Sequence, residues 1–185
     1  MRKIPDEIIE RGAELWARAL RRPKFDNGDR SFVGAVGMGL ASGLADLKAS
    51  EVDDLDGKID AFKSALVERL KFDRDHEGQE TGKPGTYAPE TYWFETFLST
   101  DYHPCRVLAE VAETVGIPTQ LFSIKSSVSL HHDSAGSAFG YGVEDTFHYP
   151  LGDGRWLLTT LRGGDMPTII DAVKAGRLPE LTVEG

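Results

Sequence analysis

The chain has one cysteine, Cys105, so it cannot close an internal disulfide, and nothing in it requires an oxidising compartment. Long apolar runs are also missing. The longest, Phe32 to Ala45, is rich in glycine and covers 14 residues, where a bilayer crossing needs about 20. The opening MRKIPDEIIERG turns acidic at once and lacks the apolar core of a signal peptide. Basic residues are scarce, 21 against 30 acidic, for a net charge of −9. The deficit is concentrated late: up to Pro89 there are 15 basic and 17 acidic residues, and beyond it 6 and 13. Such a surface repels phosphate backbones, so nucleic acid is not an expected partner. No HxH, HExxH or paired CxxC spacing is present, and no metal or cofactor is expected. These absences together predict a soluble, acidic, cytoplasmic protein with no membrane partner.

Hydrophobic residues make up 40% of the 185 residues, enough to bury a real core as one domain or two small ones. Pro5 to Arg22 carries Ile8, Ile9, Gly12, Leu15, Trp16, Ala19 and Leu20 on one helical stripe, ended by Pro23. Arg18, Arg21, Arg22 and Lys24 cluster near its end, where cations suit the helix dipole. Ser31 to Leu47 keeps Val33, Val36, Leu40, Leu44 and Leu47 at a spacing of three or four, interrupted by Gly34, Gly37, Gly39 and Gly43. Each interior glycine costs about 0.5–1 kcal/mol against alanine. Close approach of another helix, from this chain or a second copy, is the plainest compensation. Ser50 is the expected cap of a third helix with Val52, Leu55, Ile59, Phe62, Leu66 and Leu70 inward. Residues 1–72 therefore read as a three-helix unit. The polar, glycine- and proline-bearing stretch 73–89 reads as a flexible linker or loop.

Residues 90–185 read as an α+β domain. Within it, Thr100–Leu130 is predicted to be a capped helix followed by a long strand, with Thr100 or Asp101 as cap and Pro104 in the first turn. Gly116 and Pro118 stop the helix. Phe122, Ile124, Val128 and Leu130 share one strand parity, and the helix is expected to pack on them. HHDSAGSAFGYG reads as a loop, and Gly142–Leu151 and Trp156–Leu161 as a hairpin about Gly152-Asp153-Gly154. A short helix follows Asp165 or Thr168, and the last residues should fray. The fold class expected is α+β: an N-terminal three-helix unit, then a small antiparallel sheet with flanking helices.

Three kinds of chemistry are conceivable. A cysteine in a helix's first turn meets unpaired N–H groups and a favourable dipole, which lower its pKa. The run from Cys105 through LAEVAETVGIPTQLFS to a hairpin with GDGRW resembles the transglutaminase-like core over about residues 100–161. Papain-like enzymes place a cysteine similarly. The resemblance implies a Cys105 nucleophile served by a histidine of the adjoining sheet. The chain departs from it where the histidine and aspartate belong: neither occurs near Tyr141–Glu144 or at Thr159–Thr160. Membership is therefore not claimed. His132 shares the parity of Leu130 and is the alternative histidine for a hydrolase or acyltransferase. A metal site from His131, His132 and Asp133, with His103 or His148, is disfavoured because adjacent strand residues point to opposite faces.

The third kind is recognition. Aromatic residues crowd around the linker, with Tyr92 and Trp93 foremost, and Tyr141 lies between two glycines. Such residues make protein-binding hot spots. The reading favoured by the sequence is a non-catalytic accessory protein that binds another protein or assembles with copies of itself.

Overall fold

The computed structural model describes residues 3–25, 31–139, 145–160, 164–178 and 181–185. Three N-terminal helices, α1 (Asp6–Arg21), α2 (Phe32–Ser50) and α3 (Leu55–His76), precede a sheet of seven strands, all antiparallel. The strands are β1 (Phe97–Asp101), β2 (His103–Pro104), β3 (Ser126–Leu130), β4 (Ala135–Ala138), β5 (Thr146–Pro150), β6 (Trp156–Thr159) and β7 (Thr182–Glu184). Helix α4 (Arg106–Val115) follows β2, and α5 (Met166–Lys174) follows β6. The sheet order is β2-β1-β3-β4-β5-β6-β7. This is the α+β layout expected from the sequence.

Helix α1 covers the sheet. Gly12 lies where a Cβ would stand 2.5 Å from Leu130 Cδ2 and 3.5 Å from Val128 Cγ1, so the absent side chain lets the helix axis sit close to β3. The sequence assigns that face to the helix after Pro104. In the structure α1 takes it, and α4 packs mainly on α3. The reason is size: the α1 stripe buries Ile8, Ile9, Leu15, Trp16 and Leu20, a longer face than α4 offers. Trp16 packs edge-on against Phe139 at 5.6 Å between ring centroids.

Helices α1 and α3 run antiparallel and are stitched by ion pairs. Arg74 meets Asp6 at 2.6 Å, Lys71 meets Glu10 at 2.8 Å, Lys63 meets Glu14, and Arg21 meets Asp60 at 2.5 Å. Exposed pairs of this kind contribute about 0–1 kcal/mol each; the apolar row Ile59, Phe62, Leu66 and Leu70, all fully buried, contributes more. One apolar cluster joins α1, α3, α4, β1 and β3, so residues on both sides of 73–89 share a core. That stretch is a loop that departs and returns: Gly78 N–H donates to Tyr92 O at 2.9 Å and Thr81 N–H to Glu90 O at 2.8 Å.

Other departures have local causes. Asp54, not Ser50, caps α3; it adopts a left-handed φ of 51° and its carboxylate accepts from Gly57 N–H at 3.3 Å. The long strand expected from Thr119 is broken by Lys125, whose φ is 54°, leaving a 3₁₀ turn (Thr119–Leu121) and then β3. AGSA within the presumed loop is β4, buried though its side chains are small. The C-terminal residues pair with β6 as β7.

Candidate functional site

Cys105 does not lie in the first helical turn. Pro104 closes β2, and Cys105 is the N-cap of α4, its N–H donating to Ser99 O at 2.8 Å. Thr100, expected as a cap, is buried on β1; its hydroxyl donates to Ser123 O and accepts from Ser126 N–H at 3.1 Å. Burial pushes the Cys105 thiol above the ordinary range, Glu95 adds to the rise, and backbone N–H groups of Leu108 and Val107 oppose it. The helix start is present, and desolvation outweighs it.

His132 follows the far end of β3. Ser99, which anchors Cys105, is paired with Ser127, and His132 lies five residues beyond Ser127, roughly 16 Å along a strand. The structure does not bring the two together. His132 is half-exposed in the turn closed by His131 N–H to Ser134 O and faces Asp133 at 3.7 Å. His148 is buried on β5, whereas His103 is exposed on β2. Among the described residues no three metal-ligating side chains converge.

His148 was not singled out by the sequence, yet it belongs to the best-ordered polar chain in the protein. Arg11 Nη2 lies 3.0 Å from His148 Nδ1, and His148 Nε2 lies 3.1 Å from Ser137 Oγ. Guanidinium only donates, so Nδ1 accepts and the imidazole proton sits on Nε2. His148 therefore donates to Ser137 and cannot take its proton. Burial, then the Arg11 charge, pull His148 down to about 4. Despite the serine–histidine proximity, the arrangement is a structural lock. Arg11 also donates to Glu184 at 2.5 Å and stacks over Trp156 at 5.1 Å. Nothing in the spacing of these four residues announces the chain; it needs the sheet register.

Of the aromatic residues, Trp93 is 71% exposed. Tyr92 is half-buried, its ring 5.1 Å from that of Phe72, which stacks on His76 at 4.0 Å. Tyr141 lies outside the described residues.

The largest anomaly is α2. Surface helices normally turn polar residues outward; this one turns out Val33, Val36, Leu40, Leu44 and Leu47, with Leu40 71% exposed. Among its 19 residues only Asp46 and Lys48 are charged. Gly34 and Ala45 are its buried residues, facing the rest of the chain. Gly37, Gly39 and Gly43 have nothing within 4 Å of a Cβ position. The packing helix expected against these glycines is not another described helix of this chain. By length and composition α2 suffices to cross a bilayer, which the 14-residue run did not suggest, and 11% of that window is buried. Val33, Leu40 and Leu47 are spaced by seven, as are Val36 and Gly43. That is the 3.5-residue seam of paired helices. No protein-family model, curated protein or solved structure matches this chain.

Proposed function

We propose that this protein works by self-assembly, with α2 of one copy pairing with α2 of a second. The observation that carries the reading is the outward seam of Val33, Val36, Leu40, Gly43 and Leu47. A heptad-spaced stripe suits another helix better than a flat surface. Bulky residues and glycines alternate on one element, so the face is its own complement and suits a two-fold pair. Charge favours an antiparallel arrangement. The first turn of α2 carries no acidic residue, whereas Asp46 lies in its last turns and Glu51, Asp53 and Asp54 follow it. An antiparallel partner brings that acidic end to the positive end of the helix dipole.

The short seam has to offset an association cost of about 4–15 kcal/mol, so the expected dissociation constant is roughly micromolar, near −8 kcal/mol. Two copies at −9 each repel, and salt should tighten the pair by screening. A bilayer is the competing occupant. Against it stand the acidic residues after α2 and the lack of a lysine- and arginine-rich polar face, which surface-binding helices use.

Sedimentation equilibrium across a hundredfold concentration range should show a reversible monomer–dimer transition, absent in Leu40→Glu. A wild-type chain that stays monomeric alone but floats with neutral or anionic vesicles would replace this reading with membrane binding.

A further inference from the structure

Well away from the α2 seam, a cavity of about 1020 Å³ opens between the start of α1, the end of α3, the β3–β4 turn and α5. Its floor includes Phe94, Leu130, Tyr149 and Met166, whose side chains belong to the buried core. Two kinds of charge line the rim. The cations are already satisfied: Arg74 by Asp6 at 2.6 Å, Asp75 at 3.0 Å and the Ile4 carbonyl at 2.8 Å, and Lys3 by Asp75 at 3.3 Å. The carboxylates are not. Glu77 has no hydrogen bond or ion pair among the described residues. Asp133 accepts from the Ser134 hydroxyl at 3.1 Å, with His132 at 3.7 Å.

We infer that this cavity binds an amphipathic amine, its apolar body on Phe94, Leu130, Tyr149 and Met166 and its ammonium between Glu77 and Asp133. Roomy, mostly apolar clefts with a few converging polar groups are the usual form of small-molecule sites. The unspent negative charge at the rim sets the sign of the head group, and the acidic chain as a whole reinforces it. An anionic amphiphile would meet the same carboxylates and find both cations occupied. The inference is independent of self-assembly through α2.

Three probes of one chain length separate the contributions: n-octylamine, n-octanol and n-octanoate, titrated into full-length protein carrying ¹³C-methyl methionine. The three methionines are Met1, Met38 on α2 and Met166 in the cavity floor. Octylamine should shift the Met166 methyl saturably and leave Met38 in place, with affinity about tenfold above octanol and octanoate weakest. Glu77→Gln, at an exposed helix end, should bring octylamine to within about twofold of octanol without altering octanol itself. Octanoate binding as tightly as octylamine, a saturable shift confined to Met38, or no saturation of Met166 would each overturn the assignment. Leu40→Glu, which targets the α2 seam, should leave octylamine binding unchanged; its loss there would place the probe on α2 and also overturn the cavity site.

Discussion

Arg11 on the first helix holds Glu184 on the last strand at 2.5 Å, across a separation of 173 residues. Arg18 grips the same carboxylate at 2.9 Å. Through the second face of the Arg11 fork the clamp continues to His148 and Ser137. Two arginines and a desolvated imidazole thus converge on one edge of the sheet.

That chain makes stability pH-dependent in a defined direction. His148 titrates near 4 when folded and at about 6.5 when unfolded, so between these values the unfolded chain binds the extra proton and stability falls with pH. Glu184, shielded from water but held by Arg11 and Arg18, has a net lowered pKa; its contribution is present above the ordinary glutamate range and is lost as pH falls through the folded value. Both act in the same sense. The melting temperature should decline from pH 6.5 toward 4. In His148→Gln, whose amide can accept from Arg11 and donate to Ser137, the slope across that window should flatten. An unchanged slope would remove His148 from the account.

Cys105 should behave as a hindered thiol. Because burial and Glu95 raise its pKa, iodoacetamide labelling should be slow at neutral pH and climb only above the ordinary thiol range. The profile should be the same in His132→Ala and move to lower pH in Glu95→Gln. Rapid labelling at pH 6 that depends on His132 would return the cysteine to the role of a nucleophile.

Two glycine substitutions should act with opposite sign. Gly12→Ala forces a methyl against Leu130 at 2.5 Å, and overpacking there should cost about 1–3 kcal/mol. Gly37→Ala meets nothing within 4 Å and removes backbone freedom from the unfolded chain, so it should stabilise the monomer by about 0.5–1 kcal/mol. Urea unfolding at low protein concentration measures both. Equal signs would mean that the packing of α1 or the exposure of α2 is misjudged.

Proteolysis should nick the chain first around residues 83–89, in the outer part of the excursion, where Tyr87 and its neighbours are exposed. The fragments should nevertheless elute together under native conditions, because Trp16 and Phe62 from one side and Phe122 and Leu130 from the other occupy one cluster. Separation without denaturant would mean that the shared core contributes little.

The three helices, the hairpin after Phe147 and the Gly116 stop were legible because each rests on a local signal: period, turn chemistry or a left-handed C-cap. β4 was not. Ala135, Gly136, Ser137 and Ala138 form a strand only because β3 and β5 flank them, and small residues carry no periodic signal of that. β7 was missed for the same reason, since Thr182–Glu184 is ordered by its register with β6 and by two distant arginines. The identity of the helix over Val128 and Leu130 depended on Gly12, a residue that reads as a gap in the stripe until its neighbour is known. For the site, the sequence marked the α2 glycines as unusual but supplied them with a partner in the wrong place. Exposure is a property of what fails to pack, and one helix's residues do not encode it.

The Arg11–Glu184 clamp also has a consequence in time. On a ribosome adding roughly 5–20 residues per second, the two residues emerge about 10–35 s apart. Throughout that interval Arg11 has neither its carboxylate nor, for most of it, His148, and Gly12 has no β3 to sit against. Helix α1 can coil and dock on α3 early, through neighbours already made. The sheet surface it finally covers is synthesised outward from β3, one hairpin at a time. The last contact of the fold is then the joining of its earliest helix to its latest strand, a high-contact-order closure of the kind that makes folding slow.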